Sequence, residues 1–154
     1  MSLKILRKDG RVLFEAADPD RMDWDSANLA RLDLADAQLE GAMLSDANLE
    51  ETSLRGANLY WAVLYRARMN SCDLQNAVIC GADLKGADLR NADLRSANLG
   101  RDNLGGATQL QGANLAGAKI DGATFDGAEY DWLTVLPDGF EPARYGMRFA
   151  GIQD

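Results

Sequence analysis

The chain has 154 residues, a length that suits one domain, and 47% of them are hydrophobic, with small alanines prominent among these. Its formal net charge of −8 opposes direct binding to nucleic acid phosphates and favours attraction to a basic protein surface. No stretch approaches a membrane span of about 18 apolar residues, and the N-terminus lacks an apolar run of signal-peptide length. We therefore expect a cytoplasmic protein that does not bind a membrane.

The first predicted element is a β-hairpin over residues 3–16. Two apolar-rich runs flank Asp9-Gly10, a dipeptide typical of tight hairpin turns.

The stretch from Ala27 to Leu104 repeats a five-residue unit sixteen times without a gap. Every fifth position is Leu, except Met69 and Ile79, and the residue two before it is usually Ala. In an α-helix five residues advance about 500°, so these leucines would form no stripe. In a straight strand an odd spacing would send every second leucine to solvent. The chain must therefore turn a corner once per repeat, which predicts a solenoid with Leu and Ala pointing to a common axis.

A corner of about 90° per repeat closes a coil in four repeats, and coils stack at about 4.8 Å. Three departures from Ala in the inward column, Leu32, Thr52 and Cys72, lie twenty residues apart and support a coil of twenty. The repeated region then holds about five coils.

The register breaks once. Leu104 and Leu115 are eleven residues apart rather than ten, so residues 105–111 are predicted to hold one extra residue in a bulge. Asp102 falls in the inward Ala column just before this break, where an unpaired carboxylate would be costly. We expect it to accept backbone N–H bonds from the irregular corner, and a binding or catalytic acid is the alternative. The repeat then resumes at Leu115, Ile120, Phe125 and Tyr130, so the inward residues become aromatic toward the end.

The residues after 135 leave the pattern. Residues 142–145 are predicted to form one helical turn that stops at Gly146, followed by an extended run, with Phe140 or Trp132 closing the last coil. Because solenoid ends expose core leucines and unpaired backbone groups, both terminal segments are expected to be caps. The predicted parts are 1–20 as the hairpin cap, 21–135 as the solenoid and 136–154 as the C-terminal cap, all in one structural domain. The extended C-terminal run also offers an edge to a second copy, which would give a homodimer through a terminal cap.

The repeat resembles that of the pentapeptide-repeat family, Ala-(Asp/Asn)-Leu-x-x. This pattern stands without substitution at Ala82-Asp83-Leu84, Ala87-Asp88-Leu89, Ala92-Asp93-Leu94 and Ala97-Asn98-Leu99. The resemblance spans residues 22–135 and implies an all-β fold, a right-handed four-sided β-helix. Some members of the family bind type II topoisomerases and protect against quinolones by presenting an acidic rod that resembles duplex DNA.

A DNA-mimicking modulator of a type II topoisomerase is therefore one functional alternative, and the net charge permits it. Two observations oppose it. The repeats show no long projecting loop, and basic residues interrupt the acidic surface at Arg55, Arg66, Arg68, Lys85, Arg90, Arg95 and Arg101.

The residues of the chain do not suggest catalysis. There is no His, no Gly-rich phosphate loop after a strand, and no Cys or carboxylate cluster at metal spacing. The inward Leu and Ala columns leave no interior cavity for a substrate. We predict a protein that is not an enzyme and that uses no cofactor or metal. Of the two cysteines, Cys72 is expected inside as a small core residue and Cys80 outside, so they should not pair.

One outer region departs from the polar norm of the repeats. Trp61 has Gly41 and Gly81 twenty residues before and after it, which leaves its indole room to lie across the coils or to meet a partner. Exposed clustered aromatics are enriched at protein-binding hot spots. The predicted contact patch consists of Met43, Tyr60, Trp61, Val63, Tyr65, Val78 and Cys80. The alternative is that these side chains only stabilise the stack. The sequence thus favours a non-catalytic interaction or scaffold protein that presents a rigid acidic β-helix to a protein partner.

Overall fold

The computed structural model describes residues 3–6, 9–16 and 23–151. Strands β1 (Leu3–Leu6) and β2 (Val12–Ala16) pair antiparallel, which confirms the predicted hairpin. Gly10, with a φ of 82°, takes the left-handed conformation that the turn requires. The predicted boundary between residues 20 and 21 lies outside the described residues.

From residue 23 onward the backbone forms a parallel β-helix. Parallel β-bridges join residues twenty apart, such as Asn28 with Asn48 and Ser53 with Asp73. The backbone groups of each rung pair with both neighbouring coils, because the Asn48 N–H donates to the Ala27 carbonyl at 2.8 Å and the Leu49 N–H donates to the Arg68 carbonyl at 2.7 Å. Four repeats therefore separate stacked positions, as the sequence predicted.

Each five-residue unit ends in a tight turn. The Ala37 N–H donates to the Leu34 carbonyl at 3.0 Å, and Asp36 between them has a φ of 59°. A positive φ at the third turn residue is the mark of a type II turn, which Asn, Asp and Gly tolerate best. This turn chemistry explains why small and polar residues recur at the second position after each inward leucine.

The inward Leu and Ala columns form one continuous core, but Leu32, which the sequence placed in the Ala column, is 38% exposed beside the first coil. Leu49, Leu54 and Leu59 are fully buried, and so are Thr52 and Cys72 in the Ala column. The Thr52 hydroxyl donates to the Leu29 carbonyl at 2.7 Å, so its buried oxygen is satisfied. Burial raises the pKa of the Cys72 thiol, and the neighbouring charge of Asp73 adds to this effect. Cys72 is a core residue, as predicted.

The structure corrects the predicted register break. Leu104 is 79% exposed, and the core passes directly from Leu99 to Leu110, eleven residues on. The bridge from Asp83 to Gln109 spans 26 residues instead of twenty, so the insertion holds six residues rather than one. Asp102 leaves the core because a buried carboxylate would lack partners there, and Thr108 takes the Ala-column position before Leu110. We call residues 100–107 the corner loop.

The C-terminal segment contains the predicted helical turn, followed by a short strand. Strand β3 (Glu129–Tyr130) pairs in parallel with β4 (Arg148–Phe149), and a 3₁₀ helix (Pro142–Tyr145) ends at Gly146, whose φ is 68°. The Phe140 ring lies 5.3 Å from that of buried Phe125, whereas Trp132 is 75% exposed.

None of the described residues belongs to a helix that is long and apolar enough to cross a membrane.

Candidate functional site

The predicted contact patch lies on two adjacent faces of the β-helix and the corners beside them. Met43 and Val63 are bridge partners on one face, and Val78 pairs with Asn58 on the preceding face. Four patch residues are each 37–43% exposed: Met43, Trp61, Tyr65 and Val78. Tyr60 and Val63 are half-buried.

Cys80 does not belong to the accessible patch. It was expected to point outward, but only 5% of it is exposed, and its Sγ lies 3.8 Å from the Asn98 carbonyl. Desolvation raises the pKa of its thiol. The reason is the corner loop, which folds over this corner and carries the Asp102 carboxylate to the edge of Gly81.

The indole of Trp61 lies over Gly81. A Cβ atom at Gly81 would stand 2.7 Å from Trp61 Cδ1, so a larger residue there would displace the ring. The missing side chain at Gly81 thus leaves the space for the indole that the sequence predicted. Trp61 itself has a φ of 58°, an unfavourable backbone conformation for a bulky side chain.

Tyr60 and Trp61 hold the corner loop against the coils. The Trp61 indole N–H donates to Asp102 Oδ2 at 2.6 Å. The Tyr60 hydroxyl donates to Asn103 Oδ1 at 2.5 Å and accepts the Asn103 N–H at 2.7 Å. The two rings lie 4.8 Å apart. The repeat spacing does not indicate that these two aromatics bind a loop about forty residues further on.

Asp102 organises the loop from within. Its Oδ1 accepts the N–H groups of Leu104 at 2.8 Å and Gly106 at 2.6 Å, which is the backbone role predicted for it, although outside the core. The indole bond is the main cause that lowers the pKa of Asp102. Because this pKa is lower in the folded chain than in the unfolded chain, the ionised Asp102 carboxylate stabilises the corner loop at any pH above its unfolded pKa. That stabilisation is lost as the pH falls through the folded pKa.

Thr108 connects the loop to the core. At the same corner one coil earlier, the backbone N–H of Trp61 donates directly to the Cys80 carbonyl, 3.1 Å away. At the equivalent position one coil later, the Gly81 N–H donates to the Thr108 hydroxyl at 3.0 Å, and that hydroxyl donates to the Gly100 carbonyl at 2.8 Å. The hydroxyl therefore bridges two backbone groups that the insertion has separated.

The basic residues of the coils are largely neutralised by ion pairs. Arg66 pairs with Asp46 of the coil before it at 3.1 Å, the stacked pair that the sequence predicted. Other pairs join Arg31 with Glu51, Arg55 with Asp73, Arg68 with Glu50, Arg90 with Asp88, Arg95 with Asp93 and Arg101 with Asp126. The arginines of these pairs are solvent-exposed, so the pairs add little to stability, and their main effect is on the pattern of surface charge. No cluster of three or more side chains able to hold a metal ion occurs within the described part of the chain.

The family model of pentapeptide repeats matches residues 33–70, 72–108 and 108–129, in eight copies. The chain belongs to the pentapeptide-repeat family. A crystal structure of another pentapeptide-repeat protein, Rfr23 from the cyanobacterium Cyanothece 51142, is 32% identical, with a TM-score of 0.64. The match covers 71% of this chain and 84% of Rfr23. The coil is therefore a right-handed β-helix.

Other pentapeptide-repeat structures are more distant. A protein of the Arabidopsis thaliana thylakoid lumen is 25% identical over 72% of this chain and 69% of its own, with a TM-score of 0.48. Trypsin-treated QnrB1, a plasmid-mediated fluoroquinolone resistance protein, is 14% identical over 82% of this chain and 78% of its own, with a TM-score of 0.46. Likenesses this remote carry no functional argument. No curated protein matches the chain.

Proposed function

We propose that this pentapeptide-repeat protein is a non-catalytic interaction protein, and that the surface around Trp61 and the corner loop is its contact site for a protein partner. The observation that carries the proposal is Leu104, a large apolar side chain left 79% exposed on a loop fixed by side-chain hydrogen bonds. An apolar group held in place before binding loses little conformational entropy when a partner covers it.

The exposed patch residues support the same location. Met43, Trp61 and Tyr65 add apolar area on the neighbouring face and corners. Clustered exposed aromatic and apolar side chains on a rigid scaffold are typical of protein contact sites. Tyr60 and Trp61 also hold the loop, which supports for these two residues the stabilising role that the sequence left as the alternative.

The proposal predicts that Leu104→Asp weakens partner binding without changing stability, because Leu104 is 79% exposed and lies outside the core. The experiment is a pull-down from extract of the native host, with binding then measured on the purified partner. We expect Leu104→Asp to weaken that binding by about thirtyfold, the effect of a 2 kcal/mol hot spot. The matched control is Leu133→Asp, which charges another leucine, 75% exposed, near the C-terminal end. Unchanged binding by Leu104→Asp, or an equal loss in both variants, contradicts the proposed site.

A DNA-mimicking modulator of a type II topoisomerase is the second candidate. The net charge of −8 favours it. The corner loop does not add to this argument, because Tyr60 and Trp61 hold it against the coils. The ion pairs of the arginines reduce this acidity locally. Gyrase supercoiling assayed with the protein at micromolar concentration decides: inhibition supports the mimic, and unchanged supercoiling removes it.

We also propose that the terminal segments, 1–20 and 136–154, cap a four-sided helix of about five coils over residues 21–135. The pairing of β4 with β3 and the 5.8 Å contact between the Tyr145 and Phe125 rings support the C-terminal cap.

A chain that ends at residue 135 should expose Phe125 and bind a hydrophobic dye that the full chain does not. Equal dye binding by both chains would contradict the cap.

A further inference from the structure

On the face that carries Met43 and Val63, one carboxylate lies on either side of these two residues. The outward column of this face begins Asp23, Met43, Val63, Asp83 and continues with Gln109 and Glu129, and each residue forms a parallel β-bridge with the next. Since neighbouring rungs are about 4.8 Å apart, the two carboxylates stand about 14 Å apart with two apolar side chains between them. Asp23 and Met43 are exposed, and Val63 and Asp83 are half-buried.

These two carboxylates are not matched by the arginines that neutralise other faces. On the two other faces that carry carboxylates within the coils, Asp73, Asp88 and Asp93 each contact an arginine at 2.6–3.0 Å. Within residues 23–151, neither Asp23 nor Asp83 has a cation within ion-pair distance. Arg66, on the corner next to Val63, is held by Asp46. This stretch of the face is therefore apolar in the middle with a carboxylate on each side, and Lys85 lies on the corner beside Asp83, to which its backbone N–H donates at 3.0 Å.

We infer that this face binds an extended protein segment in which two basic side chains flank one apolar side chain, spaced basic-x-apolar-x-basic. The inference rests on the proposed contact site and specifies its partner. In an extended chain, side chains on one side recur every 6.7 Å or so, which puts the first and third about 13 Å apart, close to the carboxylate separation. In an α-helical segment, side chains on one side recur about 10.5 or 16.5 Å apart, which matches the carboxylate separation less well.

The middle of the face suits an apolar side chain. Met43 is 40% exposed, and an unbranched thioether adapts its shape to a partner. Trp61 and Tyr65 rise at the two corners beside it, 41% and 43% exposed, and would border the bound segment on both sides. The apolar centre would supply contact area, while the end charges would select a basic segment and speed its association.

The test is an NMR titration of the ¹⁵N-labelled full chain with the synthetic peptide Gly-Lys-Ser-Leu-Ser-Lys-Gly. Two peptides serve as controls: one with Glu in place of both Lys, and the isomer Gly-Ser-Lys-Leu-Lys-Ser-Gly, which keeps the composition but moves the charges to the opposite side from the Leu. We expect amide shift changes centred on Met43 and Val63 with the first peptide, and binding at least about fivefold weaker with either control, the worth of two exposed ion pairs.

The matched protein variants separate local from overall charge. Asp23→Asn/Asp83→Asn should weaken binding of the first peptide by about fivefold. Asp121→Asn/Asp138→Asn, which removes two exposed carboxylates elsewhere, should leave it within about twofold, since distant exposed charges are screened.

Each result bears on the inference or on the proposed function separately. Equal binding of all three peptides at Met43 and Val63 would overturn the basic pattern and leave the apolar contact site standing. Absence of any shift change on this face would overturn the inference, while the Leu104→Asp result still decides the proposed function. If both double variants weaken peptide binding equally, the binding depends only on the net charge of the protein, and the inference is overturned as well.

Discussion

Replacing Leu74 by Ala should lower the free energy of unfolding by about 2–5 kcal/mol. Leu74 is fully buried, and its N–H donates to the Asp93 carbonyl of the next coil at 2.8 Å. The coils on either side are fixed at the strand spacing by their bridges, so the structure cannot collapse into the space that the leucine leaves. Truncations that leave an unfilled cavity fall in the upper part of that range. Urea unfolding followed by circular dichroism measures the loss.

The neighbouring residue supplies the control. Gln75 lies on the outer surface, half-buried, and its side-chain amide donates to Asp73 Oδ1 at 3.1 Å. Because this bond is partly exposed, Gln75→Ala should change the free energy of unfolding by no more than about 0.5 kcal/mol. If adjacent truncations at 74 and 75 have equal effects, the inward column has been assigned to the wrong residues.

The regular part of this fold could be predicted from the sequence because each repeat makes the same contacts as the others. The leucine spacing decides which side chains face inward, and the turn residues decide where each corner falls. Local signals were also sufficient at the two ends. Asp9-Gly10 lies at the turn of the hairpin, and the 3₁₀ helix Pro142–Tyr145 ends at a left-handed Gly146.

The insertion could not be placed because its sequence continues the five-residue spacing. Asp102-Asn103-Leu104 has a Leu at the expected position, yet Leu104 is outside and Leu110 is inside. The one available signal was the Asp in the Ala column, since a carboxylate does not replace a buried methyl group without partners. That argument predicted the backbone bonds of Asp102. It could not predict that the chain would leave the core to form them.

The errors at the candidate site have the same origin. The bond from Trp61 to Asp102 joins residues 41 apart, and spacing within a repeat carries no information about it. For this reason Cys80 was placed outside although the corner loop covers it, and Leu104 was missing from the patch although it is the most exposed apolar residue beside it. The surface positions of Met43, Tyr65 and Val78 follow from the repeat alone.

The second large effect is expected at Thr108, where a valine of nearly the same shape would lack the hydroxyl. Thr108 is fully buried, and its hydroxyl accepts the Gly81 N–H and donates to the Gly100 carbonyl. Thr108→Val would leave both backbone groups without a partner, at about 1–3 kcal/mol for each group. Thr108→Ser keeps the hydroxyl and loses one methyl group, so it should lose only about 1 kcal/mol.

The effect of Thr108→Val should be visible at the contact site as well as in overall stability. Gly81 lies directly under the Trp61 indole, so a corner that loosens there changes the surroundings of the ring that holds Asp102. We expect faster hydrogen exchange of the Gly81 amide and a red shift of Trp61 emission, measured in a chain where the other tryptophans are replaced by Phe. A valine variant with a protected Gly81 amide and unchanged emission would mean that the hydroxyl does not hold the corner. In that case the loop depends on Tyr60 and Trp61 alone, and Trp61→Phe, which keeps the ring but lacks the N–H, would become the variant that releases it.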